Sequence, residues 1–357
     1  MKLRKLFGVG CLCTMLFSLN VNAMCTNYSM DEKVAQGKMR KLKEERGQIN
    51  FSELNVAVVN DDELIYSPKL HNGKKSKAGI KERKELDNLL DSCPKMKNYI
   101  IEQVNRNENV AAIGYTTVHL IQNAEGEMIP EVEEVELVTT DDLLPSKLNI
   151  AEALYTKRGD ESVRGTCTLY TTVYRGSYNS SLKKYNFSTH SKVDWSEPNW
   201  IGGANYHGSG WDYLLQSLPS KFTITGDSLD TSWWQTTGAA DRWWFSSNYD
   251  DGYVWASRSD GGSNYIRWDI KDEAKWDVLG ACTALAIGDL TVTSKGPGSS
   301  SNRYIRSYYV HTWDEINLDV EVSVSSAQET VLGLSTSSSS KSWQLYSYVS
   351  FNDATFE

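Results

Sequence analysis

The sequence predicts an N-terminal α+β region followed by a mainly antiparallel β domain, β-sandwich-like in architecture. Three observations predict it. All 12 tryptophans lie between Trp195 and Trp343. The C-terminal half is a series of short apolar/polar alternations split by Gly, Asn, Asp and Ser, the period-two pattern of half-buried strands. The N-terminal half mixes helical and strand-like segments and is denser in charge. Residues 24–164 carry 20 basic and 25 acidic side chains, against 14 and 21 over the longer stretch 165–357.

Residues 1–23 read as a secretory signal peptide. Lys2, Arg4 and Lys5 form its charged start, Leu6–Leu19 is too short for a stable membrane span, and Val21-Asn22-Ala23 suits cleavage. Losing those three cations takes the net charge from −9 to −12. An acidic chain excludes the basic footprint of a nucleic-acid binder. Met24 and Asn22 depart from the lipobox that lipidation of Cys25 needs, so the expected product is secreted, extracellular and not lipid-anchored.

Residues 24–155 make up the expected α+β domain. Ser29 and Glu32 form a capping box for a helix running to about Glu45 and stopping at Gly47. Residues 51–59 and 64–66 read as strands. A helix from about Ile80 places Leu86, Leu89 and Leu90 on one face, and Pro94 starts another with Ser92 as its cap. Val110–Gln122 is a long β-branched run, and Met128–Thr139 its hairpin return. A short helix around Asn149–Tyr155 leads into a polar linker, 156–165. Its Lys157-Arg158 is a protease-site candidate, and cleavage there would make the N-terminal half a pro-domain. The cations Lys69, Lys74, Lys75, Lys77, Lys81, Arg83 and Lys84 read as a solvated loop and helix start.

Residues 166–357 form the expected Trp/Tyr/Ser-rich all-β domain. Strands are expected at 166–174, 185–195, 221–225, 243–249, 253–258, 265–270, 284–293, 304–313, 318–325 and 342–351. Short helices are expected at Trp211–Leu218 and Lys271–Leu279. Val320, Val322 and Val324 share one face of their strand; Glu321, Ser323 and Ser325 share the other.

The mature chain keeps Cys25, Cys93, Cys167 and Cys282, and export permits disulfides. The expected pairing is Cys25–Cys93 and Cys167–Cys282, one in each half. No nucleophile elbow, metalloprotease motif or phosphate loop occurs, and no catalytic residue can be named.

Residues 195–212 interleave glycines, aromatic rings and polar side chains. Trp195, Trp200, Asn205, Tyr206, His207 and Trp211 suit a sugar ring, which stacks on indoles and hydrogen-bonds amides. Trp233-Trp234 and Trp243-Trp244 are adjacent, so a strand would turn one of each outward; Trp234 and Trp244 join the expected ligand set. The expected function is binding of a glycan or cell-envelope polymer. One alternative is a pore-forming or membrane-active protein, from the Ser/Thr-rich alternation around 318–340. A second is a hydrolase with an unlocated carboxylate pair. Asp250-Asp251-Gly252 and the loop Asp260–Asn264 are Ca²⁺ candidates that turn chemistry alone also explains.

Overall fold

A computed structural model describes residues 38–106, 109–122, 128–136, 164–176, 178–179, 181, 184–196, 211–220, 222–236, 243–246, 254–275, 278–294, 303–312, 317–324, 330–336 and 342–351. The signal peptide, Cys25, the Ser29 capping box, the helix expected at 149–155 and most of the linker lie outside them.

The chain opens with strands β1 (Lys38–Leu42) and β2 (Glu44–Asn50). A helix was expected here, with its stop at Gly47. Ladders override it: Lys38–Leu42 pairs antiparallel with β9 (Val132–Glu136), and Glu44–Asn50 with β7 (Val110–Gln122), from Glu44↔Val118 to Asn50↔Ala112. Helical propensity in so charged a run is a weak prior against seven paired residues and a buried Ile49.

Between β2 and β7 lies an α/β insertion. Strands β3 (Leu54–Val59) and β4 (Glu63–Pro68) form a hairpin closed by a three-residue loop, 60–62, in which Asn60 and Asp61 take positive φ. A second hairpin, β5 (Leu70–His71) with β6 (Lys74–Lys75), carries part of the cation cluster. Helix α1 (Lys77–Ser92) starts at Ser76, whose Oγ accepts from Gly79 N at 2.8 Å. It buries Leu86 and ends at Cys93. Pro94 opens α2 (Pro94–Arg106), so the junction residue is Cys93 rather than the expected cap Ser92. Tyr99 of α2 bonds Thr172 at 2.8 Å, Glu102 pairs with Lys192 at 2.7 Å, and Arg106 pairs with Asp289.

The return from β7 is split. Strand β8 (Met128–Pro130) pairs with β7, but β9 (Val132–Glu136) leaves it for β1. The C-terminal half continues with β10 (Arg164–Tyr174), β11 (Tyr178–Asn179), β12 (Lys184–Trp195), β13 (Trp211–Ser217), β14 (Phe222–Thr236), β15 (Trp243–Ser246) and β16 (Val254–Gly261). Then come β17 (Tyr265–Lys275), β18 (Val278–Ser294), β19 (Arg303–Thr312), β20 (Leu318–Val324), β21 (Thr330–Thr336) and β22 (Ser342–Phe351). The helices expected at 211–218 and 271–279 are strand: β13 is wedged between β17 and β19, and β17 and β18 meet at Glu273↔Ala281. Strand β21 was not among the expected strands.

Two antiparallel layers result, mostly β overall and sandwich-like as expected. One runs β2-β7-β10-β12-β18-β14-β15; the other runs β16-β17-β13-β19-β22; short pairing of β17 with β18 joins them. Their inner faces share one core that includes Leu169, Val193, Leu214, Trp268, Tyr309 and Trp343. Polar groups also meet across the layers. Thr171 Oγ1 donates to Ser307 Oγ at 2.8 Å, Ser191 and Ser307 lie at 2.7 Å, and Gln216 bridges Thr189 (2.6 Å) to Ser191 (2.8 Å). At Gly114 the layers touch through backbone, since a Cβ there would stand 2.0 Å from Tyr348 O.

Two expectations change. The boundary at 156–165 does not divide the sheet. Arg164 and Gly165 already belong to β10, and β10 pairs with β7 from Arg164↔Ile121 to Tyr174↔Val110. The expected disulfides fail as well: Cys93 and Cys167 are free, with Cys167 fully buried and its thiol pushed well up by desolvation. Cys167 lies two ladders, roughly 10 Å, from β18. Cys282 is also three residues along from Leu285, which faces Asp194, so the gap exceeds the roughly 7 Å limit on Cα separation for a disulfide.

Because β7 and β10 are hydrogen-bonded along their length, a cut after Arg158 severs the chain without releasing the N-terminal half. Protease-nicked protein is expected to elute as one species on native size exclusion and as two bands in SDS.

Candidate functional site

Strands β20 and β21 form a two-stranded sheet that shares no ladder with the sandwich. Their alternation is that expected from sequence. Leu318, Val320, Val322 and Val324 share a face with Thr330, Leu332, Leu334 and Thr336, while Asp319, Glu321, Ser323, Val331, Gly333 and Ser335 occupy the opposite one. The apolar face lies on the outward side of β13 and β19, where Leu318, Leu332 and Leu334 pack with Tyr213, Leu215, Tyr308 and Val310. Contact fades along β20. Leu318 is 4% exposed, but Val322 and Val324 reach 39% and 57%.

Side-chain hydrogen bonds from the sandwich reach the hairpin at Leu318 and at Thr330. Arg267 Nη1 donates to Leu318 O at 3.0 Å. Thr330 receives Ser217 Oγ and Arg306 Nη1 on its carbonyl, both at 3.4 Å, and Asn264 Nδ2 on its hydroxyl. Arg267 is itself fixed by Asp269, at 2.6 Å and 3.0 Å, and lies 4.6 Å over the Tyr213 ring. Burial, then the Asp269 charge, pushes the Tyr213 hydroxyl up to about 12, so that ring stays neutral.

The hairpin grows out of the β19–β22 pair and keeps its register. Thr312 faces Ser342 in one ladder, and Leu318 faces Thr336 in the other. Six residues forward on one strand match six back on its partner, so 313–317 and 337–341 are equal in length. The hairpin is therefore an in-register continuation of β19–β22, folded back onto its own sheet.

A buried polar cluster sits at the base of this continuation. Asp212 accepts from Tyr309 OH, lies 2.8 Å from His311 Nδ1 and accepts Thr312 N at 3.2 Å. Trp195 Nε1 donates to Tyr309 OH at 3.1 Å. The His311 ring packs against Trp195 and Trp343, at 5.2 Å and 5.5 Å, and the two indoles touch each other at 5.4 Å. With His311 2% exposed, the cluster holds the end of β19 rather than meeting a substrate.

The structure separates the expected ligand residues. Trp195 is 3% exposed and belongs to the core, which corrects its place in the ligand set. Trp211 is half-buried beside the hairpin. Trp234 and Trp244 lie on the paired strands β14 and β15. Trp200, Asn205, Tyr206 and His207 lie outside the described residues, as do Asp250 and Asp251. In the other Ca²⁺ candidate, Ser263 and Asn264 carbonyls accept Ile224 N and Leu218 N, and the Asn264 amide clamps Thr330. Among the described residues no three metal-ligating side chains cluster. Sequence reasoning missed β21, Asn264 and Arg267. The one usable signal was the alternation of 330–334, which Gly333 interrupts.

No family model matches the chain, and no curated protein matches it. The solved structures it overlays include pore-forming toxins. A pore-forming protein matches at 12% identity and TM-score 0.29 over 53% of this chain and 87% of its own. Clostridium perfringens delta-toxin matches at 6% and 0.29 over 70% and 96%. The membrane-inserted C. perfringens NetB toxin matches at 10% and 0.24 over 54% and 92%. Overlays this loose carry no argument about function.

Asn264→Ala removes one clamp and leaves the sandwich core intact. One lost hydrogen bond, about 1–1.5 kcal/mol, corresponds to roughly tenfold faster amide exchange in β20–β21. Exchange in β7, β10 and β12 is expected to stay unchanged.

Proposed function

We propose that the protein is exported and acts on membranes by swinging β20–β21 out as the straight continuation of β19–β22. The shared register is the observation that carries this reading. Folding back and straightening need no re-pairing; what is lost is the Thr330 and Leu318 clamps and the packing of Leu318, Leu332 and Leu334 on β13 and β19. Straightened, each arm beyond the sandwich has twelve residues, 313–324 and 330–341. A tilted membrane strand needs about 9–11.

Within β20 the sequence alternates as a barrel wall requires, with Leu318, Val320, Val322 and Val324 on the side for lipid and Asp319, Glu321 and Ser323 on the side for water. A bilayer tolerates no open sheet edge, so one hairpin must join others from further copies of the chain. The signal peptide expected at 1–23 supports export. The glycan reading loses Trp195 to the core, so the hairpin carries the proposal.

A cysteine pair at Asn264→Cys and Thr330→Cys ties the hairpin down. The native chain is expected to release dye from liposomes and form SDS-resistant oligomers. The oxidised pair is expected to do neither, and reduction to restore both. Release by the oxidised pair, or none by the native chain across neutral and anionic lipids, contradicts the proposal.

The polar face of the hairpin carries Asp319 and Glu321 opposite Ser335 and Gly333. A pore so lined is expected to prefer cations, read as a reversal potential in planar bilayers. Asp319→Asn with Glu321→Gln is expected to reduce that preference; an anion-selective native pore contradicts the assignment of this face to the lumen.

A further inference from the structure

We infer that the β5–β6 hairpin and the exposed face of α1 form a docking surface for a polyanionic cell-surface polysaccharide, one that carries sulfate or phosphate groups. The surface itself is read from the α/β insertion alone. The choice of a polysaccharide over a lipid surface rests on the membrane reading above.

Positive charge is concentrated here against the trend of the chain. Over residues 69–84 seven cations stand against Glu82 alone, a local charge of +6 in a chain of net −9. The structure sorts these groups. Lys69 turns inward and donates to Ser52 O at 2.6 Å. Glu82 turns toward the Asn50 backbone, and burial pushes its carboxyl up. Lys81 and Arg83 meet Glu85 and Asp87, at 3.3 Å and 3.8 Å, in i,i+4 pairs. Lys74, Lys75, Lys77 and Lys84 are exposed, and no carboxylate among the described residues pairs with them.

These four occupy one continuous surface. Asn72 and Gly73 take positive φ and close the β5–β6 turn in two residues. That turn puts Lys74 opposite His71 and Lys75 opposite Leu70. The chain then enters α1 directly at its cap, Ser76. On α1 the helical period places Lys77, Ile80, Lys81 and Lys84 on the side away from the buried Leu86. Lys77 to Lys84 spans roughly 10 Å of helix. Leu70 and Ile80, 62% and 53% exposed, lie among the cations. Exposed apolar side chains rimmed by charge mark a contact surface, and a sugar chain offers both C–H faces and anionic groups.

The surface is held in place from below. Glu53 contacts His71 at 3.0 Å and accepts from Ser76 Oγ at 2.6 Å, and Lys69 N donates to Glu53 O at 2.8 Å. Gly79 closes on the same segment, since a Cβ there would stand 2.9 Å from Glu53 O. The charge pattern, by contrast, works against folding. Lys77 sits in the first turn of α1, where the helix dipole disfavours a cation, and no acid stands there. Lys77 and Lys81 are like charges at i,i+4. A bound polyanion relieves both penalties.

Position selects the source of the anion. The insertion grows from β2, whose Gln48 exchanges two hydrogen bonds with Ser350 near the end of β22. The arms leave from Ser342, eight residues or roughly 27 Å away along that strand. Arms that reach a bilayer therefore leave the cationic surface at the far end of the sandwich. There it meets polymer standing up from the membrane, not lipid headgroups. The acids Asp61, Asp62 and Glu63 stand at the other turn of β3–β4, roughly 17 Å along the hairpin from Pro68.

The test uses the full chain, with immobilised heparin as the sulfated polysaccharide and neutral dextran as its control. Binding to heparin and none to dextran is expected, with an affinity that falls steeply as salt rises. Lys74→Gln with Lys75→Gln and Lys77→Gln is expected to weaken heparin binding at least about tenfold at physiological salt, and to flatten its salt dependence. Arginine at the same three positions keeps the charge and is expected to keep the binding. The three side chains are exposed, so an unchanged thermal midpoint is expected in both variants.

A glutamine variant that holds heparin as the native chain does overturns the surface. So does tighter binding to double-stranded DNA or to phosphatidylserine vesicles than to heparin at the same salt. The two readings fail separately. The glutamine variant is expected to release dye from polysaccharide-free liposomes as the native chain does. Native protein that binds heparin but releases no dye refutes the swinging hairpin and leaves the cationic surface. Dye release without heparin binding refutes the surface alone.

Discussion

Backbone hydrogen bonding is the constraint on which the arrangement depends. A strand inside a sheet is held by its neighbours through every second residue, and removing it strands donors and acceptors. Strands β20 and β21 escape this because each satisfies the other. What binds them to the sandwich is apolar contact through Leu318, Leu332 and Leu334, and a few bonds to Leu318 and Thr330. Such an element can leave as a unit without unpaired backbone behind it. β13 and β19 cannot, because each is laddered on both sides.

The sandwich beneath is tied in a different way. Its layers meet through a common apolar core and a chain of buried Thr, Ser and Gln contacts whose geometry is closely set. Buried polar groups are costly unless paired, so this network favours one alignment of the layers. The Asp212–Tyr309–His311 cluster fixes the last turn-off point before the fold-back. A rigid body and a lightly held arm thus meet at Thr312 and Ser342, where one register is carried from body to arm.

Much of this fold was legible in sequence. Period-two alternation marked most strands of the C-terminal half, and the apolar face of α1 marked that helix. The failures share a cause. Lys38–Glu45 and Trp211–Leu218 carry local patterns compatible with a helix, and only long-range partners, β9 and β7 for one and β17 with β19 for the other, make them strands. Composition changes near residue 160, while the β7–β10 ladder joins the segments on either side of it. The site was half legible. The alternation of Val320, Val322 and Val324 was visible, but Thr330–Thr336 was not read as its partner. Arg267 and Asn264 act through positions more than fifty residues away, which no local pattern announces.

The central claim is that one register serves two conformations. Spin labels at positions 303 and 321 test it most directly. Folded back, with Thr330 beside Arg306, the labels are expected at about 20 Å; straightened along one ladder, eighteen residues separate them by roughly 60 Å. In solution the short distance is expected, and with phosphatidylcholine vesicles a second population at the long one. A single short distance under conditions where the vesicles leak contradicts the account.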